Sequence, residues 1–193
     1  MASRVKASIV AVSDLVRVVP GEFFLGEYSS DSAVAGQTGP ESWYASDGHR
    51  LRPGRLTIPV ARAVEPGGEV VALDIQEGML DRLRKGVDAT GLKNIRPILG
   101  GIGQAEIESN SFDRALLVTV LGEIPDREAA LREIYRILKP GGILSITEIF
   151  PDPHYQTRFT VRTLCEAAGF QLAKEFGHVL AFTMNWIKPD SKF

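Results

Sequence analysis

Asp74 ends the stretch Glu69-Val-Val-Ala-Leu-Asp74, a short apolar run of β type closed by a carboxylate about 20 residues after Gly54. In an open α/β sheet, a glycine turn at one strand end and an acid at the next form the two halves of a nucleotide site. The turn admits the ligand, and the carboxylate accepts the ribose hydroxyls. The acidic half stands in this sequence; the glycine half is damaged. A turn of the pattern Asp-x-Gly-x-Gly-x-Gly would end at Gly54, yet the residues there read Gly48-His49-Arg50-Leu51-Arg52-Pro53-Gly54, with Arg50 and Arg52 where two glycines belong. The chain therefore carries the mark of a nucleoside-type cofactor and a lesion where that cofactor would sit.

Other chemistry-bearing residues follow later apolar runs. Glu123, in Leu121-Gly-Glu-Ile-Pro125, either faces an acceptor or caps the next helix. Glu148, Asp152, His154 and Tyr155 follow a fifth strand, at the edge of such sheets where ligands bind. His154 stands where a general base would, with an inert loop histidine as the alternative. Gly100-Gly-Ile-Gly103 reads as a loop rather than a phosphate cradle, because no helix with a good apolar face directly follows it. No metal site is expected.

The elements that must position these residues are legible from Arg55 onward. Leu56 to Val64 has helical spacing and stops at Pro66-Gly67-Gly68; Val70 to Leu73 is a buried strand; Met79, Leu80, Leu83 and Val87 share a helix face ended by Gly91. Ile95 to Leu99 and Phe112 to Val120 are further strands. Asp126 is placed to cap a helix through Leu138, Lys139-Pro-Gly-Gly142 breaks it, and Ile143 to Ile149 is a strand. The charges Arg127, Glu128, Arg132 and Glu133 read as a solvated helix face. This alternation implies a parallel, doubly wound sheet. After a helix at Thr160 to Ala168, the runs Phe170 to Phe176 and Val179 to Ile187 are joined only by Gly177-His178. So short a link makes an antiparallel hairpin, where a dinucleotide-binding sheet would continue with another crossover.

The beginning of the chain reads differently. Glu22 to Arg52 is rich in Ser, Gly and Asp, has no sustained periodicity and offers no buried strand before Gly54; Ser8 to Val12 is the segment that could fill a central strand position. Composition excludes several classes. At 193 residues, 44% hydrophobic and 24% charged, the chain suits one globular domain with a real core. A net charge of −2 gives no reason to expect nucleic acid or an anionic membrane as partner. The single cysteine, Cys165, cannot form an internal disulfide, so a buried thiol in a reducing cytoplasm is expected. The patch Ser8 to Val12 is interrupted by Asp14 and Arg17, which argues against a secretory signal.

Taken together, Gly54-Arg-Leu-Thr-Ile-Pro-Val-Ala61, Val70-Val-Ala-Leu-Asp74, Ser111-Phe-Asp113, Leu138-Lys-Pro-Gly-Gly142, Ala167-Ala-Gly-Phe170 and the closing hairpin make residues 54–188 resemble the class I S-adenosylmethionine-dependent methyltransferases. The resemblance implies a Rossmann-like, doubly wound, mostly parallel α/β sheet. Its first strand would lie centrally, and the terminal antiparallel hairpin at one edge. It implies S-adenosyl-L-methionine as cofactor and a small-molecule acceptor. Its cofactor-facing set is Gly54, Asp74 for the ribose, Ile75, Gly101 and Ile102 along the adenine, and Val118 and Thr119 toward the methionine portion or the acceptor. Many relatives carry an acid where Gly101 stands. Two other readings accompany it: a non-catalytic binding or structural protein of the same fold, and a nicotinamide-dependent oxidoreductase, against which the hairpin and the missing glycines argue.

The lesion has a reading of its own. Residues 43–52 can be encoded so that a shift of one base spells Gly-Met-Arg-Val-Met-Asp-Ile-Gly-Cys-Gly, and restoring one C returns Pro53 and Gly54 in frame with Arg55 onward. The shifted reading is an apolar strand entering Asp-x-Gly-x-Gly-x-Gly. Each shifted codon can spell only a few amino acids, so the whole pattern seldom arises in register by chance. The expectation is that residues 1–53 are an out-of-frame reading fused to a methyltransferase-like domain at 54–193.

Overall fold

The computed structural model describes residues 8–13, 56–65 and 67–190. A strand, β1 (Ser8–Ser13), precedes an alternating series: α1 (Thr57–Ala63), β2 (Glu69–Asp74), α2 (Glu77–Asp88), β3 (Ile95–Leu99), β4 (Phe112–Val118), α3 (Arg127–Ile137), β5 (Leu138–Ile149) and α4 (Arg158–Ala167), closed by β6 (Gln171–His178) and β7 (Ala181–Ile187). The strands form one sheet in the order β3-β2-β1-β4-β5-β7-β6.

Helices cover both faces because the strands are apolar on both. In β2 every residue from Val70 to Asp74 is buried, as expected of a strand sandwiched between layers. Val71 and Leu73 join Ala115, Leu117, Leu144 and Ile146 in a cluster with Leu131 and Ile134 of α3 and Val161 and Cys165 of α4. Their neighbours turn the other way. Val70 and Leu116 meet Val60, Ala61 and Val64 of α1, and Ala72 meets Leu80 and Leu83 of α2. The period of two along the strands thus builds two core layers. The Cys165 thiol is fully buried, and burial pushes its pKa well up.

The strands β2 and β3 pair in parallel, as do β4 and β5, while β7 runs antiparallel to both β5 and β6. The expected architecture therefore holds, hairpin included. Ser8–Ser13 fills the central position, but β1 is antiparallel to both neighbours, with Ile9 opposite Leu73 on one side and Leu117 on the other.

Three local expectations change. The segment Lys139–Gly142 does not separate a helix from a strand: β5 begins at Leu138, directly after α3, with a register shift between Phe112 and Arg114. The hairpin turn is Val179-Leu180, and Gly177-His178 stay in the ladder. Gly177 has φ +81°, and a Cβ there would lie 2.3 Å from the Ala181 carbonyl, so glycine serves a close strand approach rather than the turn. Strand β4 ends at Val118 rather than Val120, because Thr119 takes φ 51° and leaves the extended region. The open end of β7 is pinned by Lys188, whose Nζ donates to Asn110 Oδ1 at 2.8 Å and to the Leu138 carbonyl at 2.7 Å.

Candidate functional site

The carboxyl ends of β2, β3, β4 and β5 face one edge of the sheet, and most of the candidate residues lie along it. Parallel pairing sets Asp74 beside Leu99 and so brings the segment after β2 against the segment after β3. Asp74 is 5% exposed, and its Oδ1 accepts from the Gln76 backbone N–H at 2.8 Å, which holds the carboxylate at the start of α2. Ile75 stays 42% exposed. Gly101 lies next to it: a Cβ there would be 3.6 Å from Ile75 Cγ2 and 3.4 Å from Gln104 Oε1, so the space is tight. The Gly101 N–H donates to that same Gln104 oxygen, and Ile102 packs on the main core. A carboxylate, an exposed apolar side chain and a tight glycine therefore stand together, a set that fits a ribose and a flat base.

The centre of this edge is different. A parallel strand between β2 and β4 would end here and could pass directly into a glycine turn and then α1. The antiparallel β1 instead begins here, with Ser8 opposite Asp74, and ends at the far edge, with Ser13 opposite Glu69. Gly54 lies outside the described residues, as does the degenerate segment 48–52. The adenosine half of a cofactor site thus has fitting residues, and the methionine half has no glycine turn among the described residues. Asp74 and the end of β4 stand two strand spacings apart, about 10 Å.

On the other side of β1, Val118 pairs with Thr147, and the Thr119 N–H donates to the Thr147 carbonyl at 2.8 Å. The chain then makes a short 3-10 turn, Leu121–Glu123, before α3. Glu123 does not cap that helix: the N-cap is Asp126, whose side chain accepts from the Ala129 N–H. Arg127 leaves the solvated face assigned to it and donates to the Leu121 and Gly122 carbonyls at 3.3 and 3.1 Å, tying the turn to α3.

The turn also meets the loop after β5. A Cβ on Gly122 would fall 1.8 Å from the His154 carbonyl, so only glycine permits this contact. The loop is held internally. The His154 N–H donates to Asp152 Oδ1, and Gln156 Nε2 donates to the His154 and Tyr155 carbonyls. Beneath it sits Glu148, 1% exposed, with Oε2 accepting from the Gln156 N–H at 3.1 Å. Its Oε1 is buried without a hydrogen-bond partner. Burial, reinforced by nearby Asp152 and opposed by the Gln156 hydrogen bond and by Arg127, raises the Glu148 pKa to about 7. His154 thus contributes its backbone to the contact between loop and turn, and Glu148 beneath it is a carboxyl whose proton affinity is raised. One signal could have found it: Glu148 continues the Leu144, Ile146 side of an apolar strand, where a carboxylate does not belong without a reason.

Among the described residues, no group of three or more His, Cys, Asp or Glu could hold a metal ion, and no helix is long and apolar enough to cross a membrane.

A family model described as a methyltransferase domain matches residues 52–142. A demethylmenaquinone methyltransferase of Geobacillus stearothermophilus is 41% identical over 87 residues, which cover 45% of this chain and 37% of that protein. Its namesake from Staphylococcus aureus (strain Newman) is 36% identical over 95 residues, 49% of this chain and 39% of that protein. The chain thus spans well under half the length of these relatives. Among solved structures, an S-adenosylmethionine-dependent methyltransferase from Aquifex aeolicus superposes with a TM-score of 0.64 at 21% identity, covering 70% of this chain and 77% of that one. A cyclase, SpnF, superposes with the same TM-score at 17% identity over 72% of each chain. These two likenesses show the fold.

Proposed function

We propose that the chain carries a class I S-adenosylmethionine-dependent methyltransferase domain, that its function is methyl transfer to a small-molecule acceptor, and that the chain as written is impaired at the cofactor turn. The cofactor supplies an electrophilic methyl group on a sulfonium, so the protein's task is to bind, align and exclude water. In this reading Asp74 receives the ribose hydroxyls, Ile75 and Ile102 flank the adenine with Gly101 between them, and Val118 and Thr119 face the methionine portion or the acceptor. The loop after β5 and the turn after β4 form the acceptor side, and Glu123 and His154 are its candidate proton acceptors. The relatives' names make a quinone precursor the first acceptor to try, and the cytoplasm is the compartment in which the lone cysteine is most at home.

One observation carries the impairment: the strand at the centre of the sheet runs the wrong way to deliver a glycine turn beside Asp74. The out-of-frame reading of residues 1–53 explains it. The shifted sequence at 43–52 would enter the centre in parallel and turn on its glycines, where the backbone must approach the cofactor closely with φ values that Arg50 and Arg52 resist. Residues 54–193 are then the domain proper.

Isothermal calorimetry tests this with S-adenosylmethionine, its demethylated product and NAD, on this chain and on a version carrying the shifted residues at 43–52. The expected result is binding of the first two by the restored version and little or none by the chain as written. Micromolar binding by the unmodified chain would remove the impairment, and coding DNA whose shifted codons lack Asp-x-Gly-x-Gly would remove the frame reading. A second reading, a binding or structural protein on the same fold, is favoured by Arg50 and Arg52, two cations at the sequence positions where the turn pattern has glycines. A restored version that binds no adenosyl compound would select it.

A further inference from the structure

The most unusual group outside the cofactor half is the Glu148 carboxyl. It lies on the core side of β5, 1% exposed, at the junction of two segments. One is the loop after β5, whose Gln156 N–H is bound to Glu148 Oε2. The other is the turn after β4, which touches that loop through Gly122 and the His154 carbonyl. The second carboxyl oxygen has no partner. We propose that Glu148 is a positioning residue that seats the loop after β5 on the turn after β4, and that the seat loosens when Glu148 gives up its proton. That this seat borders the acceptor rests on the methyl-transfer reading; the seat itself does not.

Burial sets the direction, opposed by the Gln156 hydrogen bond, and the charges around the group modify it. Arg127, from the start of α3, attracts a carboxylate at this position, and Asp152, from the loop, repels it. Tyr155 also feels the Glu148 charge, and β7 contributes only the apolar Phe182 opposite it in the ladder. As a neutral acid, Glu148 keeps the hydrogen bond from Gln156 and places no charge in the core. As a carboxylate it is buried with one donor and a like charge nearby, a state that must recruit another donor. Two are within the architecture. Arg127 can turn to it, which releases the Leu121 and Gly122 carbonyls and frees the turn, or the loop can lift and admit water. Each route parts the two segments. Because burial places this transition at about pH 7, the seat would respond to changes near neutrality.

Nuclear magnetic resonance of the full, labelled chain tests this without any cofactor. The Glu148 side-chain carbon and the amides of Gln156 and Gly122 are followed through the pH range. The expected result is one shared midpoint near pH 7 for all three, with loss of that transition at both amides in Glu148→Gln, which stays neutral. In Asp152→Asn the carboxyl and both amide midpoints should fall together, so the idea remains testable if Glu148→Gln does not fold. A carboxyl midpoint near the ordinary 4.5 overturns the proposal. So does a Gly122 amide that ignores the Glu148 transition, or an amide transition that survives Glu148→Gln. Failure of the restored chain to bind S-adenosylmethionine would remove the acceptor meaning and leave these titrations standing, so the two ideas fail separately.

Discussion

Strands β1 and β2 lie side by side in the middle of the sheet, yet they hold their places for different reasons. For β2, the apolar run, the terminal Asp74, the following helix and the parallel partner β3 all agree, and five consecutive buried residues result. For β1, only the short apolar run Ser8–Ser13 matches the position, and the direction conflicts with what the neighbouring loops would need. A central position in a sheet requires hydrogen-bonding backbone and apolar bulk, which many segments can provide. A binding turn requires a direction and an exit as well. Agreement across levels is what a sequence that specifies its structure shows, and β2 has it where β1 does not.

The sharpest way to test the contrast is to replace residues 43–52 by their shifted reading. Affinity for S-adenosylmethionine, read by calorimetry, should rise on the order of a thousandfold, about 4 kcal/mol; an unchanged affinity would mean that the centre of the sheet is not the defect. The β2 side predicts cooperative packing instead. Ile134→Ala, fully buried beneath that layer, should lower stability by about 2–5 kcal/mol in urea unfolding. A near-silent substitution there would erase the distinction between the two regions.

Glu148 gives a pH-dependent version of the same test. Its folded pKa of about 7 lies above the ordinary 4.5, so the folded state binds the proton more tightly. The stability this brings is fully present below about pH 4.5 and is lost as pH rises through 7. Compared with their difference at pH 4, Glu148→Gln should gain about 3 kcal/mol on the native protein at pH 8, read from denaturation midpoints. The smallest expected effect concerns the half of the site that fits. In the restored chain, Asp74→Ala should weaken cofactor binding by at least about tenfold, the loss of a charged hydrogen bond. No loss would move the ribose elsewhere.

Much of this was legible in the residues, and the exceptions have physical causes. Alternating helix and strand periods, Gly91 as a helix stop and a link too short for a crossover led to the sheet and its antiparallel hairpin. The direction of β1 was not legible, because a period of two reads the same in either sense, and only connections choose between them. Gly177 reads as a turn residue because glycine permits turns; in the structure it permits a close approach of two strands instead. The segment Lys139–Gly142 carries every mark of a break, yet the Gly141 N–H and the Gly142 carbonyl are both engaged by Lys188 beyond the end of β7. In the sequence Glu148 is only one of four polar residues at the ligand-facing edge after the fifth strand, because its proton affinity depends on a loop and a turn that meet only in three dimensions.

The buried Cys165 turns the chain into its own stopwatch. It is the single thiol in the sequence, sits between α4 and the sheet, and is held protonated by burial. A maleimide or a disulfide reagent can therefore react only when this region opens, so the labelling rate counts openings of the core without any engineered probe. Measured on the chain as written and on the version with the shifted residues at 43–52, that rate would show whether an antiparallel strand at the centre of the sheet shortens the life of the folded state.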